Sequence, residues 1–290
     1  MSEHFQAKIE EVYSSLSKGH KKIADYIKAN YEKASFMTAA SLGKAVGVSE
    51  STVVRFASNV GFDGYPELQK HLQEMVKSHL TSVQRMEVAA SRFDGNDFIE
   101  NAFAADIDMI KATRDGVSRD AFEKSVAAIN DARKIYILGV RSSAAIASFA
   151  AFYFRYLCDN VILIDTSSSS ELFEQMFRIS SEDVCIAISF PRYSNQTVKA
   201  LSFAKDRGAT IISITDGELS PIAPYATHLL VAKSNMVSFV DSLVAPLSLI
   251  NALIAACAKQ KSDDVYNYFR ALEEIWDEYQ VYRTGGEESK

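Results

Sequence analysis

Five short apolar runs, at residues 134–140, 161–164, 184–189, 210–214 and 228–232, do most to limit what this chain can fold into. They are nearly continuous in Val, Ile, Leu and Ala, without the strict polar alternation of a strand that has one wet face. Stretches with helical spacing separate or flank them, at 144–158, 171–179, 198–206 and 219–226. Two further helical stretches, at about 97–115 and 119–131, lead into the first run. Buried strands alternating with helices predict an α/β three-layer domain around a five-stranded parallel sheet. In such a sheet ligands bind outside the strand C-termini, where the strand order reverses. Hydroxyl-rich loops follow the runs at 139–143, 165–170, 189–197 and 215–220, all at that end.

The loop in AISFPRYSNQT, residues 187–197, is the richest of them. Ser189, Ser194 and Thr197 bring hydroxyls, Asn195 an amide and Arg192 a cation. A strand that passes through such a loop into a helix presents free backbone N–H groups and the positive end of the helix dipole. That combination suits a phosphate, and the hydroxyls suit the O–H groups of a sugar. The first loop, Gly139-Val-Arg-Ser-Ser143, begins like a dinucleotide fingerprint but has Arg141 and Ala145 where the second and third glycines belong. A dinucleotide is therefore not expected, nor any other cofactor or metal. Ser142 and Ser143 fit a phosphate or sugar hydroxyls, or simple N-capping of the following helix.

Residues 1–80 read as all-helical, with Ile23, Ala24, Ile27 and Tyr31 at helical spacing and Leu42, Ala45 and Val46 following. In SLGKAVGVSESTVVRF, Gly47 fits a left-handed turn and Ser49 an N-cap. Gly43 is small where two crossing helices must approach. Val53, Phe56 and Val60 then face inward, while Glu50, Ser51, Val54 and Arg55 face out. This is the spacing of a helix-turn-helix, whose second helix enters the major groove. Arg55 suits guanine or a phosphate, Ser51 and Thr52 a phosphate or base edge, and Val54 a thymine methyl. Glu50 suits cytosine or the helix N-terminus. Lys44 and Ser49 complete the expected DNA-facing set. Lys18, His20, Lys21 and Lys22 fit phosphate contact and a solvated helix start equally well. The remaining reading of this region is a helical hairpin used for protein assembly.

Residues 65–80 continue as a helix, and 81–96 read as a polar linker in which Val88-Ala-Ala is a possible helical turn. The domain limits expected are thus 1–80, a linker at 81–96, and 97–290. Ten Lys/Arg and nine Asp/Glu give residues 1–80 a net charge of +1, so the rest carries −7 of the total of −6. That asymmetry is too small to imply nucleic-acid binding by itself. Cys158, Cys185 and Cys257 have no metal-ligand spacing and fit reduced, buried thiols in a cytoplasmic protein. The most apolar segments, 144–154 and 244–258, are too short and interrupted to span a membrane. Being apolar nearly all round, 144–158 and 244–258 fit a core combined with the interface of a homodimer or homotetramer. A helix at 266–282 carries Trp276 and has no evident role.

The hydroxyl loops resemble the sugar isomerase (SIS) domain, where a first loop ending in Ser and a later Ser-x-Ser-Gly-x-Thr loop hold a phosphosugar. Ser194-Asn-Gln-Thr197 matches the Ser-Gly-x-Thr half with Asn195 in place of glycine, and Ser189 matches the leading Ser. Phe190-Pro-Arg-Tyr193 lengthens the loop between them, and Arg141 stands where glycine is usual. The resemblance implies phosphosugar contacts from Ser142, Ser143, Ser189, Ser194, Asn195 and Thr197. Gly47-Val-Ser-x-Ser-Thr-Val-x-Arg-Phe, followed by Gly61-Phe-x-Gly-Tyr65, resembles the helix-turn-helix domain of RpiR-type bacterial regulators. Together the two imply a transcription factor of carbohydrate metabolism that binds double-stranded operator DNA under control of a phosphorylated sugar. The alternative on the same fold is a phosphosugar isomerase. Its chemistry needs a carboxylate base and an acid, for which Glu171, Glu218 and His228 are the nearest candidates.

Overall fold

A computed structural model describes residues 3–77, 81–86, 97–166, 168–236 and 240–282. It divides the chain into two compact units, with the break between Asn96 and Asp97.

The first unit is helical: α1 (Glu3–Tyr13), α2 (Lys18–Ser35), α3 (Ala39–Val46), α4 (Glu50–Asn59) and α5 (Tyr65–Lys77). Each of the inner helices starts on a side-chain cap. Ser17 accepts from the backbone N of His20, Thr38 from Ser41 and Ser49 from Thr52, which satisfies donors that have no partner inside a helix. α3 ends on Gly47 at φ 74, and the backbone N of Val48 reaches back to Gly43 O at 2.9 Å, closing a left-handed C-terminal turn. A Cβ on Gly43 would lie 2.8 Å from Val48 O, so only glycine fits where the two helices turn on each other. Ile23, Ile27, Leu42, Val53, Phe56 and Leu68 form the core of this unit. Val53, Phe56 and Val60 point inward as their spacing predicts. Ala45, in contrast, is exposed. The described part of 81–96 also departs from a plain linker. Residues 82–86 are helical and Arg85 is almost wholly buried. The possible turn at Val88 lies outside the described residues.

The second unit holds α6 (Phe98–Gly116), α7 (Arg119–Asp131), β1 (Ile135–Gly139), α8 (Ser142–Phe154), β2 (Val161–Ile164), α9 (Ser169–Met176), β3 (Val184–Ile188), α10 (Asn195–Asp206), β4 (Thr210–Thr215), β5 (His228–Val231), α11 (Val244–Gln260) and α12 (Ser262–Glu278). The five strands form a single sheet in the order β2-β1-β3-β4-β5, and every pairing is parallel. Side chains leave it with period two. Ile137, Ile186 and Ile212 pack with α7, α8 and α11, while Tyr136, Cys185 and Ile211 pack on the other face with α9 and α10. At the N-terminal end of the sheet, Arg133 bonds both carboxylate oxygens of Asp183, at 3.0 and 2.8 Å, pinning β1 to β3. Burial raises the Asp183 carboxyl, but its bonds from Arg133 and Ser180 outweigh this and hold it below the ordinary carboxylate range.

Two helical expectations need correction. Residues 219–226 contain only the 3-10 turn Ala223–Tyr225, because Pro221 and Pro224 withhold backbone donors from any regular helix. The last helix runs over Ser262–Glu278, starting four residues before and ending four before the expected 266–282, and none of its residues is buried. Cys185 and Cys257 are buried free thiols, but Cys158 is only partly buried and lies 3.7 Å from Lys261 Nζ.

Candidate functional sites

The strand order creates a crevice. β1 is followed in sequence by β2 on one side, while β3 pairs with it on the other. The chain leaving β1 and the chain leaving β3 therefore diverge to opposite faces of the sheet, opening a gap at their C-terminal ends. The loops carrying Ser142, Ser143, Ser189, Ser194, Asn195 and Thr197 are the two that border this gap.

On the β1 side the turn is tight. The backbone N of Ser143 bonds Val140 O at 3.2 Å, and Arg141 sits at φ 58, ψ −126. Those are the angles of the first central residue of a type II′ turn, a position that glycine normally fills. Arg141 is the N-cap of α8 and makes no side-chain cap bond, so N-capping by Ser142 or Ser143 does not occur. Ser142 is exposed at the start of the helix and Ser143 is buried. Gly139 allows this approach. A Cβ there would stand 2.6 Å from Ser143 O and 2.9 Å from the Ala147 Cβ.

On the β3 side Ser189 is buried and its backbone N bonds Ile214 O at 3.1 Å. The added segment is anchored rather than loose. Phe190 and Pro191 are buried, Arg192 takes φ 67, and Tyr193 Oη donates to Asp216 Oδ1 at 2.7 Å. Burial, followed by the Asp216 charge, pushes the Tyr193 phenol well above its ordinary value. Ser194 caps α10 by accepting from the backbone N of Gln196, and Asn195 is exposed on the first turn. Thr197 is completely buried, and its Oγ1 has no hydrogen-bond partner among the described residues. A buried hydroxyl in that condition costs about 1–3 kcal/mol. Gln196 Nε2 reaches Ser169 Oγ at 3.3 Å and so brings the third loop alongside, although Ser167 of that loop lies outside the described residues.

The acid–base candidates are not assembled here. Glu171 Oε2 accepts from Thr166 Oγ1 within its own loop. Glu218 is exposed in a turn rather than in a helix. His228 begins β5, at the opposite end of the sheet from the crevice, and burial lowers its imidazole below the ordinary value.

In the first unit, Lys44, Ser49, Glu50, Ser51 and Arg55 are all exposed, and Thr52 is half-buried. Ser49 Oγ lies 2.9 Å from Ser51 Oγ and 2.8 Å from Thr52 Oγ1, while Arg55 Nε donates to Ser51 O at 3.3 Å. One exposed face of α4 thus offers hydroxyls, a carboxylate and a guanidinium together. Lys18, Lys21 and Lys22 lie on the first turns of α2, whose start borders a cleft of about 580 Å³ against α4. Sequence reasoning missed the pairing of Tyr193 with Asp216 and that of His20 with Asn59, since each depends on residues brought together by folding.

A helical unit that presents α4 in this way, followed by a parallel sheet with a polar crevice, has the architecture of a helix-turn-helix unit joined to an α/β domain of the SIS type. Residues 4–79 match the model of the helix-turn-helix domain of the rpiR family, and residues 128–256 match that of the SIS domain. The chain thus carries an rpiR-family helix-turn-helix domain followed by a SIS domain. It is 29% identical over 228 residues to an HTH-type transcriptional regulator of Haemophilus influenzae, covering 77% of this chain and 78% of that one. Against the HTH-type transcriptional regulator HexR of Pseudomonas aeruginosa it is 24% identical over 280 residues, 94% of each chain. Among solved structures, the sugar isomerase domain of an RpiR transcription factor from Sphaerobacter thermophilus has 28% identity and a TM-score of 0.57, covering 59% of this chain and 96% of that one. The NanR protein of Vibrio vulnificus, complexed with ManNAc-6P, shares the fold at 19% identity, a TM-score of 0.60 and coverage of 97% and 100%. No described helix is long and apolar enough to cross a membrane.

Proposed function

We propose that this regulator binds operator DNA through the exposed face of α4, and that a phosphorylated sugar in the crevice between β1 and β3 sets its operator affinity. The observation that carries the ligand reading is Thr197. Its buried, unpartnered hydroxyl lies in the first turn of α10, at the strand-order switch. A bound phosphosugar would accept from or donate to it, while Ser143, Ser189 and Ser194 line the same gap and the α10 N-terminus complements the anion. NanR, which shares the fold, is complexed with a sugar phosphate. A hydride carrier or metal is not part of this reading. The chain acts as a sensor and not as an isomerase, because Glu171 is engaged by Thr166 and His228 stands at the far end of the sheet.

The DNA-binding region is residues 1–80, and residues 97–290 form the sensor. Control follows if the ligand favours one arrangement of two DNA-reading units over another, changing the half-site spacing they match. That requires at least a homodimer. Phe152 and Tyr153, exposed on α8, provide apolar surface for it.

The test is a panel of sugar phosphates scored both by thermal shift and by binding to operator duplex, with Ser143→Ala as control. A true ligand raises the melting temperature of the native protein by mass action and alters duplex affinity, and Ser143→Ala loses both effects. A panel that changes neither would sink the reading. Turnover of any member, abolished in Glu171→Ala, would replace it with the enzyme.

A further inference from the structure

His20 belongs to neither the crevice nor the exposed face of α4, yet it joins α2 to α4. It is the third residue of α2 and is 8% exposed. Its Nδ1 lies 3.1 Å from Asn59 Nδ2, and the ring stands edge-on to Phe56 with centroids 5.9 Å apart. An amide nitrogen only donates, so Nδ1 is the acceptor and the proton sits on Nε2. The imidazole thereby joins the first turn of α2 to the last residue of α4. The helices meet closely beside it, since a Cβ on Gly19 would lie 3.4 Å from the Thr52 Cγ2. Ser17 Oγ accepts from the His20 backbone N and fixes the start of α2 at the same place.

We infer that His20, through its bond from Asn59 and its edge contact with Phe56, is the positioning residue that sets the rotation of α4 for reading base edges. This rests on the DNA-binding role proposed for α4. Hydrogen bonds to base edges hold only within a few tenths of an ångström, whereas attraction to phosphates is long-ranged and tolerant. Removing the strut therefore affects discrimination between sequences more than adhesion to DNA.

The experiment uses the full chain, a duplex recovered by in vitro selection from a random pool, and an unrelated duplex of equal length. His20→Ala and Asn59→Ala each weaken binding to the selected duplex about tenfold, the scale of one mismatched base pair. Binding to the unrelated duplex and its salt dependence stay as in the wild type. The double variant loses no more than either single change, as expected of one shared bond. His20→Gln keeps an acceptor for the Asn59 amide, so it recovers most of the discrimination. If His20→Ala does not fold, Asn59→Ala at its exposed position and His20→Gln decide the matter alone. Equal losses on both duplexes, or an unchanged ratio between them, overturn the assignment. Failure of the selection to yield any preferred duplex would remove the DNA-reading role of α4, and this assignment with it.

Discussion

Ser51 and Arg55 stand out from α4 into solvent, whereas Ser143, Ser189 and Thr197 lie buried at the ends of β1 and β3. The polar groups of the first unit suit a large partner, which must be met on a convex surface and is drawn in by its own phosphates. Those of the second suit a small one, which a cleft must surround and desolvate. Burial ties the second set to the fold's own stability, for Thr197 as a cost, and exposure leaves Ser51 and Arg55 largely free of it. Glycines that let backbones touch are structural in both units, Gly43 in the first and Gly139 in the second.

That contrast is broken or sharpened by five measurements. The largest effect is expected for Gly139→Ala. Its new Cβ meets the backbone O of Ser143 at 2.6 Å, and overpacking of this kind costs about 3 kcal/mol in urea unfolding. Gly43→Ala is its counterpart in the first unit, with Val48 O at 2.8 Å. Part of its cost is returned by the better helix propensity of alanine, leaving about 1–2 kcal/mol. Hydrogen exchange should place the first loss in the sheet and the second in α2–α4. Next is Arg55→Ala, which should weaken duplex binding by about 1–3 kcal/mol in a fluorescence titration while stability moves by less than about 0.5 kcal/mol. A comparable loss of stability would erase the distinction between the units.

Thr197→Val tests the buried side. With no partner on its Oγ1, stability should hold or rise slightly, while phosphosugar affinity falls about tenfold by calorimetry. Unchanged affinity would remove Thr197 from the site. The smallest effect concerns pH. Burial, and then the Arg55 charge, lower the His20 imidazole below its ordinary value near pH 6.5. The unfolded chain then binds the proton more readily than the folded one. The contribution of His20 is therefore complete above about pH 6.5 and is lost as pH falls below it. His20→Gln should flatten that acid-side slope, and an equal slope in the variant would assign it to another group.

Much of the architecture could be read in the sequence for simple physical reasons. The run 161–164 and the stretch 119–131 became β2 and α7 at those same limits, since each pattern is uninterrupted: Asn160 and Asp165 flank the first, and Ser118 caps the second. Gly47 and Ser49 act as turn and cap because few residues do either well. The placement of the hydroxyl loops at the strand C-termini was equally legible, as residue type and strand direction together decide it. The misses have other causes. Pro221 and Pro224 outweighed the apolar pattern around them. The II′ turn at Arg141 was hidden because the sequence advertises such a turn with glycine, and here an arginine occupies it at a cost of about 1–3 kcal/mol. Tyr193 meets Asp216, and His20 meets Asn59, across 23 and 39 residues. Local periodicity carries no trace of such pairs.

Gly139 has one more consequence, for how such a protein can change over generations. Its contact with Ser143 O fixes the root of the first loop through backbone alone. Arg141 and Ser142, at the tip, are exposed and owe nothing to the packing below. Mutation can therefore rewrite the tip without disturbing the root or the sheet beneath.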